Sequence, residues 1–133
     1  ISTLTNNKRT NILGVTVLTS LDEKQTLKYY KEKNVSILVK KFANYAKKNN
    51  LNGLVCSPLE ISIIRKEAGE KIILVVPGIR LENTSKSKKH DQKRTLTPKE
   101  AINLGADFLV IGRPIIESKN PLETIKKINQ SIQ

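Results

Sequence analysis

The sequence predicts an α/β protein in which helices cover a parallel β-sheet. Four short runs of apolar or β-branched residues, each bounded by turn-forming residues, alternate along the chain with segments of helical periodicity. None of these runs alternates apolar with polar residues, so we expect strands buried on both faces, as in parallel sheets. The polar and glycine-containing motifs follow the ends of the runs, where parallel α/β proteins bind their ligands.

The four predicted strands span residues 12–18, 54–56, 72–76 and 108–111. A short helix is predicted from residue 22 to about residue 30. A longer helix follows, because apolar residues recur at helical spacing from Val35 to Ala46, with Asn34 or Ser36 as the cap.

Three further helices share one start signal. Ser57, Thr97 and Asn120 are each followed by proline and, three residues on, by glutamate. This pattern combines a capping residue, proline at the first helical position and an acid in the first turn. Gly69 and Gly105 are predicted to end the first two of these helices.

The length of the chain limits the architecture. A chain of 133 residues is long enough for one domain with its own core. It begins with Ile1 and contains no methionine, which we interpret as a processed product or a fragment. A complete (β/α)8 barrel needs eight strands and on the order of 250 residues. The four predicted strands would therefore make half of such a barrel.

The charge of the chain suggests one class of partner. The formal net charge is +12, which raises the hypothesis of nucleic-acid binding. The cations are nearly all lysines, however, and they are scattered over helices and loops. Only residues 86–94 form a dense basic patch, which also contains Asp91, and aromatic residues for base stacking are few. We therefore expect no nucleic-acid partner.

Cysteine usage and hydropathy bear on the compartment. The single cysteine, Cys56, excludes an internal disulfide and is typical of a reducing compartment, so we expect a cytoplasmic protein. No apolar run approaches the length of a membrane span, and no membrane partner is expected. We expect Cys56 to be a small core residue, because no histidine accompanies it as a base. No cluster of potential ligands has metal-binding spacing, so no metal site is expected.

The end of the last predicted strand is the first candidate site. Gly112 allows the backbone to come close to a ligand, and Arg113 adds a planar fork of hydrogen-bond donors with a fixed positive charge. A buried parallel strand that ends in these two residues, just before a helix, is a natural place to hold a phosphate. The alternative interpretation is a tight turn with a solvated arginine.

Five segments of the chain, in order, resemble the carboxyl-terminal half of orotidine 5'-phosphate decarboxylase of the bacterial type. They are VTVLTS (15–20), GLVCSPLE (53–60), VVPGIR (75–80), DQKRTLTPKEA (91–101) and GADFLVIGRPI (105–115). The resemblance implies a TIM (β/α)8 barrel of which residues 1–133 supply about the last four β/α units, with the amino-terminal half absent. It also implies a homodimer that converts orotidine 5'-phosphate to uridine 5'-phosphate and CO2 without a metal or organic cofactor.

The same resemblance implies a substrate-binding set. Thr19 matches the family hydroxyl that hydrogen-bonds the pyrimidine, and Arg80 matches a substrate-binding residue. Gln92, the Gly112 backbone N–H and Arg113 match the groups that grip the phosphate. Residues 81–96 correspond to the loop that closes over the phosphate. The residue types agree with this role, since a phosphate needs backbone N–H groups, a neutral donor and a bidentate cation.

The catalytic groups of the family have no match in this sequence. The family carries an alternating array of lysine and aspartate, including an Asp-x-Lys-x-x-Asp motif. Asp22 and Lys24 give the first half of that motif, but Leu27 stands where the second aspartate is required. We therefore expect the catalytic residues upstream of Ile1, none in this chain, and no activity from the chain alone.

Three alternatives remain open from the sequence. One is a related phosphate-binding barrel that acts on a sugar phosphate as a decarboxylase or aldolase. Another is a basic nucleic-acid-binding module, and the third is a degenerate half-barrel with no activity. Other single residues have simpler roles: we expect Ser57 and Thr97 to be helix caps and His90 to be solvated.

Overall fold

The computed structural model describes residues 10–18, 21, 23–81 and 95–133. Within these ranges the strands are β1 (Leu13–Val15), β2 (Gly53–Val55), β3 (Ile73–Pro77) and β4 (Phe108–Val110). The helices are α1 (Glu23–Tyr30), α2 (Val35–Lys48), α3 (Ile61–Ala68), α4 (Pro98–Asn103), α5 (Arg113–Ile116) and α6 (Pro121–Ser131), and a 3-10 turn at Pro58–Glu60 leads into α3. None of the helices in these ranges is long and apolar enough to cross a membrane.

The four strands form one parallel sheet in the order β1-β2-β3-β4. Helices connect successive strands, so the predicted α/β class is confirmed. The register pairs Leu54 of β2 with Gly14 and Leu74, and Leu109 of β4 with Val76. Because all four strands run in the same direction, their carboxyl ends meet at one edge of the sheet, which is called the carboxyl edge below.

Three helix starts have side-chain caps at predicted positions, whereas the hydroxyl of Ser57, which was also predicted to be a cap, forms no capping hydrogen bond. The Asn34 side chain caps α2 by accepting hydrogen bonds from the backbone N–H groups of Ser36 (3.0 Å) and Ile37 (3.3 Å). Thr97 accepts from the N–H of Glu100 at the start of α4, and Asn120 accepts from the corresponding N–H in α6. These side chains satisfy N–H groups that have no partner inside the helix. Of the two caps proposed for α2, the structure therefore selects Asn34.

One face of the sheet carries the core. Leu54, Leu74 and Val76 point to the same side of the sheet and are fully buried. They form a single apolar cluster with residues of α2 and α3, and the members from these helices include Leu38, Val39, Ala43, Ile61 and Ile64. Burial of each such side chain contributes about 1.5–3 kcal/mol to folding, so this layer is the main source of stability in the described part of the chain.

The other face of the sheet is uncovered at both edges, and here the sequence-based expectation of fully buried strands is wrong. Val15 of β1 is 57% exposed, and Phe108 and Val110 of β4 are 59% and 51% exposed. These side chains alternate with the buried ones along each strand, so they lie on the face opposite the helices. No covering layer for that face is found among the described residues. The apolar runs give the sheet two apolar faces, and among the described residues only the face towards the helices is covered.

Strand β1 is shorter than its apolar run suggested. The first run was predicted to form a strand over residues 12–18, but β1 ends at Val15. Thr16 continues the pairing through one backbone bond to the Val55 carbonyl (3.0 Å), and Val17 is buried in the core. The end of the run thus contributes apolar residues to the core beyond the regular strand.

Gly53 is the point of closest packing in the sheet. A Cβ atom at this position would lie 2.5 Å from the Ile73 carbonyl oxygen and 2.6 Å from Leu13 Cδ2. Both distances are well below van der Waals contact, so no side chain fits between β1 and β3 here. Glycine at the start of β2 is therefore a packing requirement of the sheet.

The Arg65 side chain joins the loops at the amino ends of the strands, opposite the carboxyl edge. From the last turn of α3, its guanidinium donates to the carbonyls of Ile72 (2.7 Å) and Gly105 (2.6 Å) and to Asp107 Oδ2 (2.7 Å). The same Asp107 oxygen accepts the N–H of Leu74 (2.6 Å). One largely buried guanidinium thus donates to backbone carbonyls in the loops that lead into β3 and β4. These bonds hold both strands at their amino ends.

We expect Arg65→Ala to lower the free energy of unfolding by about 3 kcal/mol, because it leaves several half-buried carbonyls and the Asp107 carboxylate without their shared donor. Urea denaturation followed by circular dichroism measures the change.

Lys127→Ala is the control for this experiment. Lys127 forms an exposed ion pair with Glu123 (2.8 Å) within α6, and water screens such pairs. Its loss should change the unfolding free energy far less than the loss of Arg65. Equal effects of the two substitutions would show that the Arg65 contacts carry no special weight.

Candidate functional site

Arg80 lies just beyond the carboxyl end of β3. The strand ends at Pro77, and Gly78 then takes a positive φ of 81°, a conformation that glycine adopts without strain. The Arg80 N–H donates to the Leu96 carbonyl (3.0 Å), and the guanidinium donates to the Ile79 carbonyl (3.1 Å). The segment around Arg80 is therefore held against Leu96, which follows the long polar loop in the sequence.

Gly112 and Arg113 lie beyond the carboxyl end of the neighbouring strand. Gly112 precedes α5, and Arg113 begins this short helix, followed by Pro114. Both residues are exposed. Apart from Gly112 itself and its chain neighbours, no described heavy atom lies within 4 Å of the place where a Cβ of Gly112 would be. In the first turn of α5, Pro114 has no N–H and the Ile115 N–H donates to the Gly112 carbonyl (2.9 Å), so the backbone donors that this open corner can offer to a ligand are the N–H groups of Gly112 and Arg113.

The register brings these two corners to the same edge. Pro77 of β3 pairs with Val110 of β4, and Arg80 and Arg113 each follow their paired residue by three positions. Neighbouring parallel strands lie about 4.8 Å apart, so two cations and the Gly112 backbone share one part of the carboxyl edge. Such a combination of cations and backbone donors is suited to an anion.

Two members of the predicted substrate-binding set lie outside the described residues. These are Thr19 and Gln92, and most of the predicted closing loop, residues 82–94, is also outside. The same holds for Asp22 of the partial catalytic motif. The other three predicted site residues, Arg80, Gly112 and Arg113, follow the carboxyl ends of the neighbouring strands β3 and β4.

A buried carboxylate at the carboxyl edge was not identified as a site residue from the sequence. Glu60 is only 5% exposed. Its Oε2 accepts hydrogen bonds from Thr16 Oγ1 (2.9 Å), beyond β1, and from the Ser57 backbone N–H (3.1 Å), beyond β2. The bond to Ser57 was visible in the sequence as a helix-capping pattern. The bond to Thr16 was not, because the two residues are 44 positions apart.

Cys56 lies beside this carboxylate. Burial raises the pKa of the Cys56 thiol to about 12, and the negative charge of Glu60 adds to the effect. The thiol is therefore neutral at physiological pH and cannot act as a nucleophile. Its packing with Leu54 in the core supports the prediction that Cys56 is a core residue.

The described residues of the predicted site lie neither in a metal-binding cluster nor in the cavity at the helix starts. Among the described residues, no group of three or more His, Cys, Asp or Glu side chains is placed to hold a metal ion. A cavity of about 470 Å³ lies between the first turns of α1, α2 and α3, and its lining includes Lys33, Ser36 and Leu59. Arg80, Gly112 and Arg113 do not line this cavity, so the corner at Gly112 and Arg113 is a separate, open part of the surface.

The fold defines a class: an α/β protein built from β/α units of a parallel sheet, with Arg80 and Arg113 following neighbouring strand ends. The family model described as "Orotidine 5'-phosphate decarboxylase / HUMPS family" matches residues 1–128. The chain belongs to this family.

The curated relatives agree with this assignment. The chain is 40% identical over 133 residues to orotidine 5'-phosphate decarboxylase of Coxiella burnetii (strain RSA 331 / Henzerling II), a match that covers 100% of this chain and 55% of the relative. It is 43% identical over 125 residues to the protein of the same name from Wolbachia pipientis subsp. Culex pipiens, a match that covers 94% of this chain and 54% of the relative. The chain thus spans about half the length of the curated relatives it matches.

Solved structures give the same fold. The crystal structure of orotidine 5'-phosphate decarboxylase from Lactobacillus acidophilus is similar with a TM-score of 0.72 and 28% identity, over 92% of this chain and 49% of that one. The crystal structure of the protein of the same name from Pyrococcus horikoshii OT3 is similar with a TM-score of 0.68 at 23% identity, over 98% of this chain and 55% of that one. The four parallel β/α units therefore have the arrangement of about half of a TIM barrel.

We expect the Cys56 thiol to be inert in the folded protein. With a pKa of about 12, about one thiol in 10⁴ is ionised at pH 8. A chromogenic disulfide reagent should therefore label Cys56 only after a denaturant has unfolded the protein. The Cys56→Ser variant shows which part of the signal belongs to this residue. Rapid labelling under native conditions would contradict the burial of Cys56.

Proposed function

We propose that the protein containing this chain decarboxylates orotidine 5'-phosphate to uridine 5'-phosphate and CO2, with this chain supplying substrate-binding residues. The proposal is supported by the placement of Arg80 and of the Gly112–Arg113 pair just beyond the carboxyl ends of neighbouring strands, in a chain that belongs to the family over residues 1–128. The relatives named above are orotidine 5'-phosphate decarboxylases, which supports this substrate.

The phosphate end of the substrate would bind at the Gly112 corner. The Gly112 backbone N–H and the Arg113 guanidinium can donate to a phosphate together, and a guanidinium can do so through two parallel bonds. Gln92 is proposed as a neutral donor to the same phosphate, and Thr19 as the hydroxyl that binds the pyrimidine. Arg80 adds a second cation from the next strand.

Binding at the phosphate contributes to a reaction that takes place elsewhere on the substrate. Loss of CO2 leaves a carbanion on the pyrimidine ring, and the energy of phosphate binding can drive closure around that ring. We place the lysine that protonates the carbanion and the aspartates that act on the departing carboxylate upstream of Ile1. The reaction in this proposal needs no cofactor.

We further propose that residues 1–133 are the carboxyl-terminal half of a single (β/α)8 barrel. Three findings support this. The strands β1 and β4 lie at the two edges of the sheet. The side chains of Val15 and Phe108 are exposed on an apolar face that no described layer covers. The chain spans 55% of the length of a curated relative. In this proposal the other half supplies four strands that pair with both edges and close the barrel over the uncovered face.

The assembly and the compartment remain proposals as well. We propose a homodimer of the full-length protein in the cytoplasm, with no nucleic-acid partner. Light scattering of the purified full-length protein measures the dimer directly. The sugar-phosphate alternative is distinguished by binding, because a decarboxylase of orotidine 5'-phosphate should bind uridine 5'-phosphate more tightly than a pentose phosphate that lacks the base.

We expect the full-length protein to form uridine 5'-phosphate from orotidine 5'-phosphate, and Arg113→Ala to lower kcat/KM about 10- to 100-fold, the effect of losing a charge-assisted hydrogen-bonding group. Arg113→Lys should fall between the wild type and Arg113→Ala, since lysine keeps the charge but not the planar fork. The decrease in absorbance on decarboxylation measures the rate.

Lys126→Ala removes a positive charge from the exposed side of α6 and is the control for net charge. Its kcat/KM should match that of the wild type. A full-length wild-type protein that forms no uridine 5'-phosphate would reject the proposed function. An Arg113→Ala variant with wild-type kinetics would reject the phosphate role of Arg113 alone.

We expect residues 1–133 expressed alone to self-associate or fold poorly, because the uncovered face and two strand edges attract other chains. Co-expression with the missing half should give one species with a sharp thermal transition. Size-exclusion chromatography and thermal denaturation check this expectation. A monomer of the isolated chain with a sharp, concentration-independent transition would contradict the half-barrel proposal.

A further inference from the structure

Helix α5, which follows Gly112 and begins with Arg113, has little packing of its own. It has four residues, none of whose side chains is buried, and Ile116 at its end is 76% exposed. Its backbone is nevertheless a closed turn, because the N–H groups of Ile115 and Glu117 donate to the carbonyls of Gly112 (2.9 Å) and Arg113 (3.0 Å). The turn therefore moves as a unit, and the contacts at its two ends set the direction of the corner at Gly112 and Arg113.

The two ends of α5 are held in different ways. On the amino side, Ile111 packs against the core cluster. On the carboxyl side, two half-buried hydroxyls meet across the junction between α5 and α6, with Ser118 Oγ and Thr124 Oγ1 2.7 Å apart. Helix α6 is itself anchored by the buried side chain of Ile128. The hydroxyl pair thus connects the exposed α5 to a helix that is fixed in the fold.

The hydroxyl pair belongs to a closed circuit of hydrogen bonds. The Asn120 N–H donates to Ser118 Oγ (3.2 Å), and Thr124 Oγ1 donates to the Asn120 carbonyl (3.1 Å). Because each hydroxyl has one proton, Ser118 then donates to Thr124 Oγ1. Hydrogen bonds arranged in this way polarise and strengthen one another. The Ser118 N–H also donates to the Ile115 carbonyl (3.2 Å), so the circuit is bonded directly to the turn of α5.

We propose that Ser118 and Thr124 are positioning residues for the proposed phosphate corner at Gly112 and Arg113, acting through α5. The inference rests on the proposed function. The hydroxyl pair holds the end of α5, and the hydrogen-bonded turn transmits this constraint to the Gly112 N–H and to Arg113. Neither hydroxyl needs to contact the substrate. Loss of the pair should therefore weaken binding of ligands that carry a phosphate and leave binding of the base unchanged.

The test compares three ligands of the full-length protein by isothermal titration calorimetry. Uridine 5'-phosphate and ribose 5-phosphate carry the phosphate, whereas uridine has the base and the sugar without it. Thr124→Val removes one hydroxyl with little change in shape, and Ser118→Ala removes the other. Either variant should raise the Kd for both phosphate ligands about threefold to tenfold, the effect of one lost hydrogen bond, and change the Kd for uridine less than about twofold.

Three further variants separate positioning from other roles. Thr124→Ser keeps the hydroxyl and should restore the wild-type affinity for the phosphate ligands. The double variant with Ser118→Ala and Thr124→Val should bind them no more weakly than either single variant, because both changes break the same circuit. Lys127→Ala removes a positive charge and the exposed ion pair with Glu123 from the same helix. It leaves the circuit intact and should keep the wild-type Kd values.

Four outcomes would overturn the inference. The first is an equal loss of affinity for uridine and for the phosphate ligands, and the second is wild-type affinity for the phosphate ligands in both Thr124→Val and Ser118→Ala. The third is a Thr124→Ser variant that binds as weakly as Thr124→Val. The fourth is a wild-type protein that binds neither phosphate ligand. If one disruptive variant fails to fold, the other gives the same comparison.

Failure of the proposed function has a separate signature. The wild-type protein would then form no uridine 5'-phosphate from orotidine 5'-phosphate. Ribose 5-phosphate would still test the positioning role, because its binding requires the phosphate corner and not the base.

Discussion

Parallel pairing of the four strands in chain order determines where every other group in this protein lies. Because each strand enters the sheet from the same side, the connections before the strands gather at one edge and those after them at the other. The first edge is closed by the Arg65 guanidinium, which bridges the approaches to β3 and β4. The second edge is left for the residues that follow the strands, and these are the residues with recognisable chemistry.

The two edges use buried charge in different ways. Arg65 contacts backbone carbonyls and Asp107, and it holds the strands in register without reaching the candidate site. Glu60 contacts the chain where it leaves β1 and β2. The corner at Gly112 and Arg113 is instead exposed and open. In barrels of this kind, residues at the amino ends of the strands usually serve stability, and residues beyond the carboxyl ends serve function.

Local signals in the sequence predicted local structure well. The capping residues Asn34, Thr97 and Asn120 were predicted because a cap depends on a few neighbouring residues. The sequence did not predict two contacts, that of Arg65 with Gly105 and that of Glu60 with Thr16. The partners are 40 and 44 positions apart, and no local pattern indicates a contact over such a separation. Full burial of the strands was wrong at the two edges, since an apolar run shows that a face can be covered but not which layer covers it.

The sequence predicts a candidate site at Gly112 and Arg113, because the strand ends converge in any parallel sheet. Arg80 was assigned through its motif, and the structure adds that it lies on the adjacent strand end. The sequence could not show that Glu60, apparently a simple cap, is buried.

Gly53 has an evolutionary consequence. The atom nearest to its missing side chain is the Ile73 carbonyl oxygen, which belongs to the main chain and is present whatever amino acid occupies position 73. A smaller neighbour at position 13 would relieve one collision and leave this one in place. Compensating changes in side chains therefore cannot make room at position 53, and lineages that keep this sheet should keep glycine there even as the surrounding core drifts.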